Sequence, residues 1–124
     1  MTTFTQDTND ATYQIRAFQA GMIQINETIF NKSLIIAPHR LIENWPPQLI
    51  SELTANDLLP LLDMKPDVIL IGTGSSLIFP PTAIYAALIN AGMGVEIMDT
   101  SAACRTYNAL SAENRHVVAA LIIK

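Results

Sequence analysis

The amino-acid sequence predicts an α/β fold built on a mixed β-sheet with helices packed against it. Of the 124 residues, 50% are hydrophobic and only 15% are charged, which is a high apolar content for a soluble protein and favours elements buried on more than one face. β-patterned segments fill the first third of the chain, and a strand, a helix and a second strand follow one another in the second half. The length is typical of one domain with one core.

The N-terminal third is predicted to form an antiparallel β-meander. Apolar and polar side chains alternate at its start, and Gly21 breaks the run at a point suited to a tight turn. Pro38 ends the last extended run of the region because proline cannot donate to a β-ladder. Residues 1–11 are predicted to be a disordered arm, and residues 12–124 the single α/β domain. The predicted strands of the meander are 13–18, 22–25, 29–30 and 34–37.

A short helix is predicted after Thr54. Thr54 is a typical N-cap residue, Asp57 follows three positions later, and a leucine-rich run comes next. Pro60 is expected to limit how far this helix runs. The preceding segment, residues 41–45, is a further extended candidate that Pro46 and Pro47 end.

The second half of the chain contains the pattern of a βαβ crossover. Residues 68–71 are a continuous apolar run typical of a buried strand, residues 82–91 follow two prolines as a helix, and residues 95–98 return as a strand. Such a unit requires two parallel strands and a right-handed connection. The remaining predicted elements are a helix that begins at Asp99 or Thr100 and a buried strand over residues 117–123.

Charge and composition exclude several classes of protein. The formal net charge is −4, and the Lys and Arg residues are scattered, which argues against binding to nucleic acid. Arg105, Arg115 and His116 are the nearest approach to a basic patch and are interpreted as solvated surface. The apolar runs are too short for an integral membrane protein, and the single cysteine and the lack of a targeting segment predict a cytoplasmic location.

The best candidate for a ligand site lies where two predicted parallel strands end, because ligands of open α/β sheets bind beyond the carboxyl ends of the strands. Backbone amides, hydroxyls and one guanidinium there could hold a small anion. The same residue types also occur where a chain turns or caps a helix, so a purely structural role is the alternative. The sequence has neither the third glycine of a dinucleotide-binding fingerprint nor the lysine of a P-loop, and a nucleotide-binding motif is therefore not indicated. The candidate ligand-binding residues are Gly72, Thr73, Gly74, Ser75, Asp99, Thr100 and Arg105.

Three further residue types allow a structural and a functional interpretation. Cys104 could be a nucleophile, but a lone cysteine on an apolar helix is typical of a core residue. Trp45 could anchor a partner or cover the core, and its apolar neighbours favour the core. His39 and His116 are too far apart along the chain to indicate a metal site. The sequence therefore predicts no catalytic residue, no metal and no cofactor.

Four segments together resemble a known family: 72–74, 79–81, 92–100 and 102–108. The family is an uncharacterised bacterial and archaeal domain family that includes the mitochondrial assembly factor 3 of NADH:ubiquinone oxidoreductase, respiratory complex I. The resemblance implies a three-layer β/β/α fold and a role in protein assembly, and it implies no catalytic residues. Because this chain lacks the targeting segment of the mitochondrial member, a prokaryotic cytoplasm is the expected location.

Two hypotheses about function follow. The first is a non-catalytic protein-interaction or assembly module with partners in a respiratory complex, which rests on the resemblance and on the lack of a catalytic constellation. The second is a domain that binds a small anion, or an enzyme, at the crevice between the 72–76 and 99–105 loops. The sequence leaves the exact partner, the ligand and the oligomeric state open.

Overall fold

The computed structural model describes residues 11–124, which form two β-sheets and three α-helices. The predicted N-terminal arm over residues 1–11 lies outside the described residues except for Ala11, whose side chain is buried. The helices are α1 (Leu59–Met64), α2 (Thr82–Asn90) and α3 (Thr100–Ala112). The strands are β1 (Ile15–Gln19), β2 (Met22–Ile25), β3 (Thr28–Phe30), β4 (Leu34–Ala37), β5 (Arg40–Ile42), β6 (Val68–Gly72), β7 (Gly94–Met98) and β8 (Val117–Leu121).

The smaller sheet contains the first three strands of the predicted meander, antiparallel and in the order β1-β2-β3. The fourth predicted strand, 34–37, is β4 and lies in the larger sheet, because it pairs with β8 and β5 rather than with β3. Gln19 pairs with Met22, so only two residues connect β1 and β2. Gly21 has a φ of 88° in this turn, and Asn26 has a φ of 52° in the next one. Glycine and asparagine tolerate this left-handed backbone better than other residues, which is why the chain reverses at these positions.

The larger sheet has five strands in the order β5-β4-β8-β6-β7. β4 is antiparallel to both β5 and β8, whereas β6 is parallel to both β8 and β7. The predicted mixed sheet is therefore confirmed. β4, β6 and β8 are buried along their whole length, as their continuous apolar sequences predict.

The parallel part of the sheet contains two crossovers, one more than the sequence predicted. The predicted unit β6-α2-β7 is present, and α3 then leads from β7 back across β6 to β8. The two connections step in opposite directions along the sheet, so helices on opposite faces give both crossovers the same hand. Accordingly, α2 contributes to the core on one face and α3 to the core on the other.

One face of the central sheet is covered by α3 and the meander together. The side-chain amide of Asn108 joins them, since it donates to the Ile15 carbonyl at 2.7 Å and accepts from the Ile15 amide at 3.1 Å. The Tyr107 hydroxyl donates to the Tyr13 carbonyl at 2.7 Å. These bonds give the edge strand β1 polar partners on a helix, so the meander is anchored to the rest of the domain.

The opposite face is covered by α1, α2 and the segment before them. Trp45 is buried here, and its Nε1 donates to the Asp57 carbonyl at 2.8 Å, which confirms it as a core residue. Thr54 and Asp57 form the predicted capping box at the start of a 3₁₀ turn that leads into α1. Pro60 lies in the first turn of α1, where proline is tolerated, and the helix ends at Lys65 in the left-handed conformation. No helix among residues 11–124 has the length and apolar character to cross a membrane.

Candidate functional site

The two loops that the sequence singled out meet at the carboxyl ends of β6 and β7, and they bind each other. The Gly74 amide donates to Thr100 Oγ1 at 2.8 Å, and the Thr100 amide donates to the Gly74 carbonyl at 2.9 Å. Thr100 Oγ1 in turn donates to the carbonyl of Ile122 at 2.6 Å. The Thr100 hydroxyl is completely buried, so its hydrogen-bonding capacity holds the two loops and the chain after β8 together.

Gly72 makes this close approach possible because it has no side chain. A Cβ atom at this position would lie 2.8 Å from Thr100 Oγ1 and 3.1 Å from Thr100 Cα. The Gly72 carbonyl also accepts a hydrogen bond from the Ile122 amide at 3.0 Å. Gly72 therefore serves the packing of β6 against the start of α3.

Thr73 shapes the loop that follows. Its Oγ1 donates to the Ser76 carbonyl at 2.6 Å and accepts from the Ile78 amide at 3.2 Å, while its own amide donates to the Met98 carbonyl at 2.9 Å. The side chain thus closes a tight local turn of the kind that threonine favours. Ser75, at the tip of this turn, is exposed.

Asp99 and Arg105 lie on the helix side of the predicted crevice. Asp99 is the N-cap of α3, with its Oδ1 accepting from the Ala102 amide at 2.8 Å. Arg105 donates to Ser101 Oγ at 2.8 Å and lines a separate depression of about 210 Å³ together with Arg16. The structure therefore brings Gly74 and Thr100 together but places Arg105 away from them, and ligand binding by the seven residues stays a prediction.

The loop after β6 faces a groove of about 490 Å³ that sequence reasoning missed. Its walls are mainly apolar, and they come from the segment 49–53, the loop after β6, the start of α2 and Ile122. Lys124 is the one charged side chain among the lining residues. The size falls in the range of sites that bind small molecules or anchor a partner side chain.

Exposed apolar side chains surround this groove. Among the lining residues, Phe79 is 67% exposed, and Ile78 and Leu49 are about half exposed. Three of the seven exposed large hydrophobic residues in the described part of the chain thus line the groove, and a fourth, Leu77, precedes Ile78 in the same loop. The signal in the sequence was the run Leu77–Phe79 between two serines and two prolines, where an apolar strand or helix does not fit.

Cys104 lies on α3 and is buried, as its apolar neighbours predicted. Burial raises the pKa of its thiol from 9.0 to about 12, and the nearby Arg105 lowers it by a smaller amount. The thiol therefore stays protonated near neutral pH, which disfavours a role as a nucleophile. In residues 11–124, no group of three or more His, Cys, Asp or Glu side chains is placed to hold a metal ion.

Together, these features define a small mixed α/β domain with an apolar groove at the carboxyl ends of its parallel strands. The chain belongs to the family described as "Protein of unknown function (DUF498/DUF598)", whose model matches residues 15–122. The resemblance noted in the sequence is thereby confirmed, and so is the α/β fold class, because solved structures of similar proteins share it.

Three similar proteins represent the relatives. The 13 kDa major membrane protein of Francisella tularensis is 30% identical over 98% of this chain and 100% of its own length. The NADH dehydrogenase [ubiquinone] 1 alpha subcomplex assembly factor 3 of Drosophila melanogaster is 33% identical over 82% of this chain, which spans 56% of the fly protein. A crystal structure of a Bordetella parapertussis protein is 36% identical, with a TM-score of 0.85 over 92% of this chain and 98% of that one.

Proposed function

We propose that this protein is a non-catalytic assembly module that holds a subunit of respiratory complex I through the apolar groove. The concentration of exposed apolar side chains around the groove carries the proposal. The name of the fly relative, an assembly factor for NADH dehydrogenase, supports the choice of complex. An assembly factor needs a surface that binds a partner reversibly, and a patch of exposed apolar side chains is typical of such a surface.

The groove has the composition of a protein-binding site. Aromatic side chains contribute most to interfaces when a partner removes them from water, and Phe79 is both aromatic and largely exposed. Pro80 is buried beside it, so the loop that carries Phe79 is anchored to the domain. The hydrogen bonds of Thr73 hold the other end of the same loop. This arrangement limits the entropy lost when a partner binds.

The proposed occupant is an apolar segment of a complex I subunit with an acidic residue at its edge. Apolar side chains of such a segment would cover Leu49, Ile78 and Phe79. The acidic residue would pair with Lys124, whose ammonium group has no hydrogen-bond or ion-pair partner within residues 11–124. The pair would fix the orientation of the segment more than it would add affinity.

The test is affinity purification of a chromosomally tagged copy from its own cells, with mass spectrometry of the proteins that co-purify. We expect complex I subunits or their assembly proteins to be enriched. The Phe79→Ser variant should recover these proteins in amounts at least about tenfold lower than the wild type. The reason is that a phenylalanine side chain buried at an interface contributes about 1.5–3 kcal/mol to the binding free energy. Deletion of the gene should lower the amount of assembled complex I.

Ile29→Ser is the matched control, since Ile29 is 61% exposed and lies on β3, in the meander. This variant should recover the partner like the wild type. Equal losses for Ile29→Ser and Phe79→Ser would contradict the groove as the binding surface. If the wild type enriches no complex I subunit and the deletion leaves complex I unchanged, the assembly role itself is wrong.

We infer a cytoplasmic location, with contact to the membrane made through the partner complex. The inference rests on the single cysteine and on the net charge of −4 with no cluster of basic residues, and the Francisella relative, named a membrane protein, makes it worth testing. Cell fractionation should find the protein in the soluble fraction, and its membrane-bound share should fall when complex I is deleted. Membrane binding that persists without complex I would contradict this location.

A further inference from the structure

A second cavity, of about 440 Å³, lies at the other end of the central sheet, beside the amino ends of β6 and β8. The turn between β4 and β5 contributes His39 to its lining, and Arg40, the first residue of β5, lies next to it. The chain between α3 and β8 contributes Arg115 and His116 from the other side. These two segments are distant in sequence and meet only because β4 pairs with β8.

The lining of this cavity concentrates positive charge in an acidic protein. It holds both histidines and two of the four arginines of the chain, although the net charge is −4. None of its lining residues is an aspartate or a glutamate. Within residues 11–124, neither Arg40 nor Arg115 has a hydrogen-bond or ion-pair partner for its side chain. Two guanidinium groups are thus free to bind an anion from solution.

The backbone on both sides of the cavity is held in place. The Pro38 carbonyl accepts from the amides of Thr12 and Tyr13 at 2.7 and 3.0 Å. His39 Nδ1 lies 2.9 Å from Thr12 Oγ1. On the opposite side, the His116 carbonyl accepts from the Asp67 amide at 2.9 Å. Fixed backbone at both walls positions the arginines for a ligand with little loss of backbone entropy.

The uncharged lining residues of the cavity indicate the chemistry of the part of the ligand that is not anionic. Ala37, Pro38 and Met64 present apolar surface next to the charged groups. A cavity of this volume is large enough for a molecule of mononucleotide size. Arginine binds phosphate oxygens in a bidentate manner, and two arginines match a group that carries two negative charges.

We propose that this cavity binds a small organic phosphate, with the phosphate between Arg40 and Arg115 and the apolar body of the ligand against Pro38 and Met64. The site lies at the opposite end of the domain from the apolar groove. Binding here is therefore independent of the assembly role, and each of the two can fail without the other.

The test is a titration of the isotope-labelled protein with AMP, adenosine and inorganic phosphate at low salt, followed by two-dimensional NMR of the backbone amides. We expect AMP to shift the amides of Ala37, His39 and Arg40 and those of residues 111–117. Adenosine should bind at least tenfold more weakly because it lacks the phosphate, and inorganic phosphate should bind more weakly than AMP because it lacks the apolar body.

The variants Arg40→Gln and Arg115→Gln should each weaken AMP binding by about tenfold or more, since a charge-assisted contact is lost. Arg16→Gln is the control, because Arg16 is also exposed and is not among the lining residues. It changes the net charge equally and should leave the affinity unchanged. The proposal is overturned if millimolar AMP shifts none of these amides, if adenosine binds as well as AMP, or if Arg16→Gln weakens binding as much as the other two variants.

Discussion

The two ends of the central sheet use polar residues in opposite ways. At the carboxyl ends of the parallel strands, Gly74 and Thr100 satisfy each other's hydrogen bonds, and the exposed surface beside them is apolar. At the amino ends, Arg40 and Arg115 come together without side-chain partners among the described residues. Polar residues at a strand end therefore point to a binding site only when their donors remain free after the fold has formed.

The largest expected effect concerns Cys104, in the interior between the two ends, whose reactivity should differ strongly between the folded and the unfolded protein. Because burial raises the pKa of Cys104 to about 12, the thiolate is about a thousandfold rarer than in the unfolded chain at mildly alkaline pH. Reaction with a thiol reagent such as DTNB should be slowed accordingly, and denaturant should restore it. Fast reaction of the folded protein would contradict the burial of this thiol.

The same burial predicts the direction of alkaline denaturation. Burial also raises the pKa of Tyr107, so both groups keep their protons in the folded protein at a pH where the unfolded chain loses them. The stability they contribute is fully present below pH 9.0 and should fall as the pH rises toward about 12. Urea unfolding followed by circular dichroism across this range would measure the fall. The free energy of unfolding should fall less steeply in Tyr107→Phe, which has no hydroxyl to titrate.

Thr100→Val tests the hydrogen bonds at the carboxyl end. The change keeps the shape of the side chain but leaves the Gly74 amide and the Ile122 carbonyl without their buried partner, so we expect a loss of about 2–5 kcal/mol in the free energy of unfolding. Urea unfolding measures it. Thr100→Ser is the control, since it retains the hydroxyl and should cost less. A cost for Thr100→Val no larger than that for Thr100→Ser would contradict a leading contribution of the hydroxyl to stability.

Gly72→Ala tests the close approach of β6 and α3. The added Cβ would meet Thr100 at 2.8 Å, so overpacking should cost about 1–3 kcal/mol. Gly94→Ala is the matched control because its Cβ would lie 3.5 Å from the nearest atom, an ordinary contact. Both free energies come from chemical unfolding. A neutral Gly72→Ala would mean that Thr100 can move away without loss.

Arg40→Gln and Arg115→Gln should have the smallest effect on stability. Both side chains are exposed and unpartnered within residues 11–124, so each change should leave the free energy of unfolding within about 0.5 kcal/mol of the wild type. Urea unfolding without ligand provides the measurement. A loss as large as that of Thr100→Val would show that these arginines stabilise the fold, and the contrast between the two ends would disappear.

Comparison of the sequence-based expectations with the structure shows where local patterns suffice. The strand at Val68–Gly72 was predictable because its continuous apolar run is bounded by turn residues. The helix after Asp99 was predictable because the cap depends on neighbours within one turn. The second crossover was not, since it depends on β8 pairing with β6 rather than with another strand.

At the candidate site, too, some features could be predicted from local sequence and others depended on the tertiary structure. Local sequence correctly placed the loops after β6 and β7 side by side, because carboxyl ends of neighbouring parallel strands share one edge of a sheet. It could not show that Thr100 would be completely buried between them. It also could not show that Arg105, a little over one turn into α3, would line a different depression. The direction of a helical side chain depends on how the helix packs.

The sequence by itself thus determined the elements, their caps and turns, and the family, because each depends on residues that are close along the chain or on recognisable segments. Only the tertiary structure decided which polar groups have hydrogen-bond partners within the protein and which remain free to bind a ligand. His39 and His116 illustrate the difference: their distance along the chain gave no sign that they lie close together in space, yet both line one cavity. The pairing of β4 with β8 brings them together, and strand pairing is settled by the packing of the whole core.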